Sequence, residues 1–136
     1  MNWKLIFLLS LFGLAMGFAT VYAIPSTIEP FFWLAIFIIC AWCVARYAPG
    51  KYFLHGLLIS IVNSIWITAI HASLFYTYIA THPEYLQMFQ EPGTPSMIAD
   101  HPRRMMVITG PIIGVISGLI LGLFSWIASK VVRPAV

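Results

Sequence analysis

The sequence predicts an all-α integral membrane protein with four transmembrane helices, and three observations predict it. The 136 residues are 61% hydrophobic and 8% charged, whereas soluble domains carry about 25% charge. A water-soluble domain of this size has too little interior to hide that much apolar surface. The apolar residues also fall into four runs, each near the ~20 residues that cross ~30 Å of hydrocarbon as a helix. Barrel strands, by contrast, alternate polar and apolar residues over only ~10 positions. Residues 1–136 therefore read as a single four-helix domain.

The first span, about residues 5–24, follows Lys4. Val21-Tyr22-Ala23 before Ile24 looks like the end of a cleavable leader. The apolar run is longer than the ~7–15 residues of a leader core, however, so it reads as a retained span. "IPSTIEP" (24–30), with two prolines, is a tight link to the second span, about 31–48. "APGK" (48–51) places a helix stop and a turn before the third. That third run, about 52–80, is longer than a span needs and should tilt or project beyond the bilayer. The outer loop, about 81–104, is the long polar segment, with four prolines and three of the four acidic residues. Within it "PEYLQMFQ" fits a short amphipathic helix at the interface. The fourth span is about 105–129.

Charge sets the orientation. Lys4, Arg46, Lys51, Lys130 and Arg133 flank the spans on one side, while Glu29 and the long loop lie on the other. The positive-inside rule puts both termini in the cytoplasm, an N-in/C-in multi-pass topology. Arg103 and Arg104 oppose this assignment from within a loop that also holds Glu84, Glu91 and Asp100. The net charge is only +3, and the basic residues sit at the ends of apolar runs. No basic patch with interleaved aromatics is present to suggest nucleic-acid binding.

Lipid is as apolar as leucine, so helices in a bilayer associate through close packing and hydrogen bonds. In the fourth span Gly110, Gly114, Gly118 and Gly122 recur every four residues, extended by Ser117, Ser125 and Ser129. Gly13 and Gly17 form a shorter row in the first span, near Ser10 and Thr20. Such rows make a smooth groove on one helix side. They serve packing inside the bundle, an oligomer or partner interface, or both.

The third span carries a second kind of signal. At about 100° per residue, Gly56, Ser60, Asn63, Ser64, Ile67, His71 and Tyr78 share one side, with Thr68 at its border. His55 and Ser73 lie opposite. Polar groups within a span face the bundle interior or a water-filled cavity rather than lipid. The stripe is thus either a hydrogen-bonded seam or a path for a small polar species. His71 is the one residue of the stripe that titrates near neutral pH in ordinary surroundings.

Two motifs could carry chemistry. "CAWC" (40–43) puts Cys40 and Cys43 on one helix face. It has no second cysteine pair to exchange with, so both read as small buried hydrophobes rather than as a redox centre. His82, Glu84, Asp100 and His101 offer metal-ligating side chains in the loop, but at no standard spacing. No paired carboxylates, nucleophile–base order or phosphate loop accompanies them. The expectation is a protein without catalytic residues, cofactor or metal.

Residues 55–89, "HGLLISIVNSIWITAIHASLFYTYIATHPEYLQMF", and residues 110–130, "GPIIGVISGLILGLFSWIASK", are similar to a family of small four-span bacterial membrane proteins of unknown function. The resemblance lies in a Gly-Leu-rich third span with a polar middle, a Pro83-Glu84-Tyr85 turn, and a Gly-Ile-rich last span ending at Lys130. It covers mainly residues 52–130, and the loop here is shorter and richer in proline than in that family. It implies a bacterial inner-membrane location and no activity. Taken together, these features lead to two expectations. The first is a non-enzymatic protein acting by helix association in the lipid bilayer, as a homo-oligomer or an accessory subunit with a membrane-protein partner. The second is a passive channel or small transporter whose path follows the polar side of the third span.

Overall fold

The computed structural model describes residues 1–135. Among them the regular structure is entirely helical, and four helices are long and apolar enough to cross a membrane. The first, α1, spans Trp3–Tyr22. Asn2 caps it, its side-chain oxygen accepting the Leu5 N–H at 3.1 Å and so satisfying one of the free donors of the first turn. The helix α2, Glu29–Tyr47, opens with an acidic residue and a proline, both suited to a first helical turn. Gly50 (φ 133°) and Lys51 (φ 50°) then reverse the chain. Only glycine enters such backbone space freely, so the turn needs Gly50.

The third apolar run departs from expectation. Instead of one helix over 52–80, α3 ends at Tyr52–Ser73 and a separate α4, Phe75–Thr81, begins after a break at Leu74. No proline or glycine causes it. Its effect is clear from two rings: His71 and Tyr78 stack with centroids 4.1 Å apart. In a continuous helix seven residues would separate them by ~10.5 Å along the axis.

The loop of residues 81–104 contains two short helices, α5 (Pro83–Gln87) and α6 (Ser96–Ala99). The last helix, α7, runs Pro102–Val131, beginning three residues before the expected span. Pro111 lies inside it, and lacks the N–H that would bond the Val107 carbonyl.

Packing follows the small residues. The helix α3 packs chiefly on α7 and then on α1, while α2 lies mainly on α7. A Cβ on Gly118 would come within 2.9 Å of the Leu57 carbonyl oxygen, and one on Gly122 within 2.8 Å of the Phe53 carbonyl oxygen. Gly110 and Gly114 abut the side chains of Thr68 and Ser64. Gly56 answers from α3, where a Cβ would meet the Leu121 carbonyl oxygen at 2.6 Å. On α1, Gly13 lies against the backbone of Asn63 and Gly17 against Ile70. Both glycine rows are therefore occupied within the chain.

The termini share one end of the bundle. The Asn2 N–H donates to His55 Nε2 at 3.0 Å, the Ala135 N–H to the Arg46 carbonyl at 2.9 Å, and the Arg46 guanidinium to the Arg133 carbonyl at 3.1 Å. The apolar core, with Ile6, Leu9, Cys40, Val44, Ile59 and Leu121, joins all four long helices. The loop 81–104 closes the opposite end.

Candidate functional site

The six polar residues expected to share a side of the third span come together. Ser60, Asn63, Ser64, Thr68, His71 and Tyr78 all line one cavity of about 340 Å³. The opposite wall belongs to α2, whose Glu29, Trp33 and Phe37 fall four residues apart and so face one way. The helix α7 contributes Met106, Thr109, Ile113 and Ser117 around the glycine row, and Tyr85 of α5 joins at the loop end.

The cavity ends at a pair of serines. Ser117 donates to the Ile113 carbonyl at 2.8 Å, so Ser60, 2.8 Å away, is the donor between the two hydroxyls. Below them, toward the termini, Phe37 and Phe124 meet edge to face at 6.4 Å, and Gly118 and Gly122 bring α7 against α3.

His71 is held from behind. Its Nε2 lies 2.7 Å from the Thr20 hydroxyl, which donates its own hydrogen to the Met16 carbonyl at 2.7 Å. Thr20 can then only accept, so the proton of a neutral His71 sits on Nε2 and Nδ1 keeps a lone pair. Tyr78 covers the ring and is in turn stacked on His82, 4.5 Å between centroids. His82 is buried, and its Nδ1 lies 2.9 Å from the Thr81 hydroxyl and 3.3 Å from the Tyr78 carbonyl. Its Nε2 has no hydrogen-bond partner among the described residues.

Asn63 is 2% exposed and stands between α1 and the cavity. Its Oδ1 accepts the Gly13 N–H at 2.9 Å. Its Nδ2 has no partner among the described residues. Ser64, by contrast, satisfies itself on the Ile61 carbonyl of its own helix at 2.7 Å. Asn63 is thus a donor held in place without an acceptor.

Around the loop end, Glu29 accepts from the Trp33 indole at 3.0 Å. The Ser26 hydroxyl donates to Glu84, tying the α1–α2 link to α5 and holding the Glu84 carboxyl below its usual range. Tyr85 donates to the Pro102 carbonyl at 3.3 Å, and burial pushes its phenol up.

The remaining candidates lie elsewhere. Cys40 and Cys43 are free thiols, with Cys40 in the core. Of the loop ligands, His82 turns inward, Glu84 is engaged by Ser26, and Asp100 and His101 are exposed. No group of three His, Cys, Asp or Glu side chains able to hold a metal forms among the described residues. Comparison with protein-family models, curated proteins and solved structures finds no match to this chain.

Glu29, Trp33 and Phe37 were not expected at the site. Their signal was present in the sequence as a four-residue repeat along α2, but the polarity of α3 gave no indication of which neighbour its stripe would face.

Proposed function

We propose that this is a non-enzymatic multi-pass protein of the bacterial inner membrane that admits a small molecule to the cavity between α2, α3 and α7. Both termini lie in the cytoplasm and the Glu29–Tyr85 end of the cavity faces the opposite side. One observation carries the reading: the polar stripe of α3 and α4 lines a single cavity of about 340 Å³, within the ~300–1,000 Å³ of small-molecule sites. Because the cavity stops at Ser60 and Ser117, it suits a binding protein or small carrier better than an open passive channel.

Charge placement supports the orientation. Arg46 lies over Trp42 at 6.0 Å and Lys130 over Trp126 at 5.4 Å, both at the end that carries the termini. Basic and indole side chains anchor helices at the cytoplasmic interface in this way. Helix association, the other expectation, would use the outward apolar surfaces of α2 and α7, since the glycine rows are occupied inside the chain.

The test is thiol accessibility. Single cysteines at positions 64, 67, 71 and 78, in a Cys40→Ser, Cys43→Ser background, are exposed to a membrane-impermeant maleimide on intact cells. Labelling at 78, 71 and 67 is expected from outside, fading toward 64. Labelling of 64 equally from both sides would make the site an open pore. A silent series would leave a dry seam and remove the cavity reading.

A further inference from the structure

The opening of the cavity is not confined to the loop end. Ile113 and Thr109 line it, yet both are exposed on the outside of the bundle, Ile113 at 61%. A residue that belongs to both surfaces marks the place where one runs into the other. That place lies between α2 and α7, above the point where Phe37 meets Phe124. Its height is fixed by the glycine row: Gly110 sits at the level of Thr68 and Gly114 at that of Ser64. Both are inside the 22-residue length of α3, ~33 Å at the usual rise. At that depth a spanning helix meets acyl chains, not water.

The interior narrows the chemistry of what could enter. Trp33, Phe37 and Ile113 make the approach apolar. Below Glu29, whose carboxylate is bonded to Trp33, no charged side chain lines the cavity. An ion there would lose its hydration without gaining a counter-charge. One donor bordering the cavity is left without an acceptor among the described residues: Asn63 is 2% exposed, its Oδ1 is fixed by Gly13, and its buried Nδ2 is unpartnered.

We propose that the cavity takes a neutral, lipid-soluble molecule with a single oxygen-bearing head, a carbonyl or hydroxyl, which enters sideways from the bilayer between α2 and α7 and accepts a hydrogen bond from Asn63. The tail trails out past Ile113. This rests on the cavity reading above and adds the class of occupant and its route.

The probe is dodecanol brominated on the carbon next to the hydroxyl carbon, titrated into the full-length protein in phosphatidylcholine nanodiscs. Bromine quenches a nearby indole, and the difference between the wild type and Trp33→Phe isolates the contribution of Trp33. Saturable quenching by the alcohol is expected, at lower concentration than by the matching bromo-alkane. Asn63→Leu should weaken the alcohol roughly three- to tenfold, the scale of one hydrogen bond, and leave the alkane unchanged. Ile113→Phe, on an exposed position and adding no indole, should slow the onset of quenching by narrowing the opening. Tighter quenching by the matching bromo-carboxylate would overturn the neutral head. Unchanged onset in Ile113→Phe would overturn the lateral route. Absence of Trp33-dependent quenching, with maleimide still reaching positions 67 and 71, would overturn the lipid-soluble occupant while leaving the cavity. Failure of both experiments would remove the two proposals together.

Discussion

The side chain of Asn63 is built around the missing side chain of Gly13. Its Oδ1 accepts the Gly13 N–H at 2.9 Å, and a Cβ at that glycine would lie 2.7 Å from both the Cα and the carbonyl oxygen of Asn63. The absence of a side chain on α1 is what lets a polar group of α3 reach a main-chain donor on its neighbour. Gly13→Ala forces backbone against backbone. It should cost about 1–3 kcal/mol, as overpacked sites do, and lower the thermal midpoint in detergent. An unchanged midpoint would mean that α1 and α3 are not held this closely.

The glycine row of α7 makes a different kind of prediction, because it distinguishes packing within one chain from packing between chains. Gly118→Leu should destabilise the protein by a similar ~1–3 kcal/mol, independently of protein concentration in detergent. Leu119→Ala, at an exposed neighbour, serves as the control. Loss of an oligomer with the monomer's stability intact would show that the row faces a second copy instead.

Thr20 is the acceptor for His71, and only a hydroxyl can take that role at this position. Thr20→Val keeps the shape and removes the oxygen. It leaves a buried N–H unpaired, at about 1–3 kcal/mol. Thr20→Ser should keep most of the stability. Equal loss in both variants would point to the methyl group rather than to the hydrogen bond.

The link between Ser26 and Glu84 predicts a response to acid. The hydroxyl favours the ionised carboxylate, so the folded group titrates below its ordinary range. Its contribution is therefore present above that range and disappears as pH falls through the depressed value. Protease nicking of residues 81–104, followed from pH 6 downward, should be faster in Ser26→Ala than in the wild type at pH 6, and the gap should close as acid protonates Glu84 of the wild type. Identical profiles would mean that the contact does not hold the loop.

The sequence made some of this legible and hid the rest. Long apolar runs and proline-marked breaks located α1, α2, α7 and the start of α3 to within a few residues, because backbone chemistry leaves few places where such a run can begin or end. The polar stripe of α3 was equally readable from its angular spacing. The break at Leu74 was not: no proline or glycine marks it, and it serves a stack between His71 and Tyr78 that only the folded chain brings together. The face opposite the stripe was also hidden. Glu29, Trp33 and Phe37 look like an ordinary helix entrance and become a cavity wall only because α2 leans on α7.

The division of partners along α3 has a consequence for biosynthesis. As the ribosome releases this chain, α1 and α2 are complete when α3 emerges, and α7 is still unmade. Two polar atoms of α3, Asn63 Oδ1 and His71 Nε2, find their partners on α1, at Gly13 and Thr20. Ser64, on the side awaiting α7, needs no other helix, because it bonds to the Ile61 carbonyl. The polar side of α3 thus meets its α1 partners before α7 is made, while Ser60, whose hydroxyl donates to Ser117, waits for the last helix.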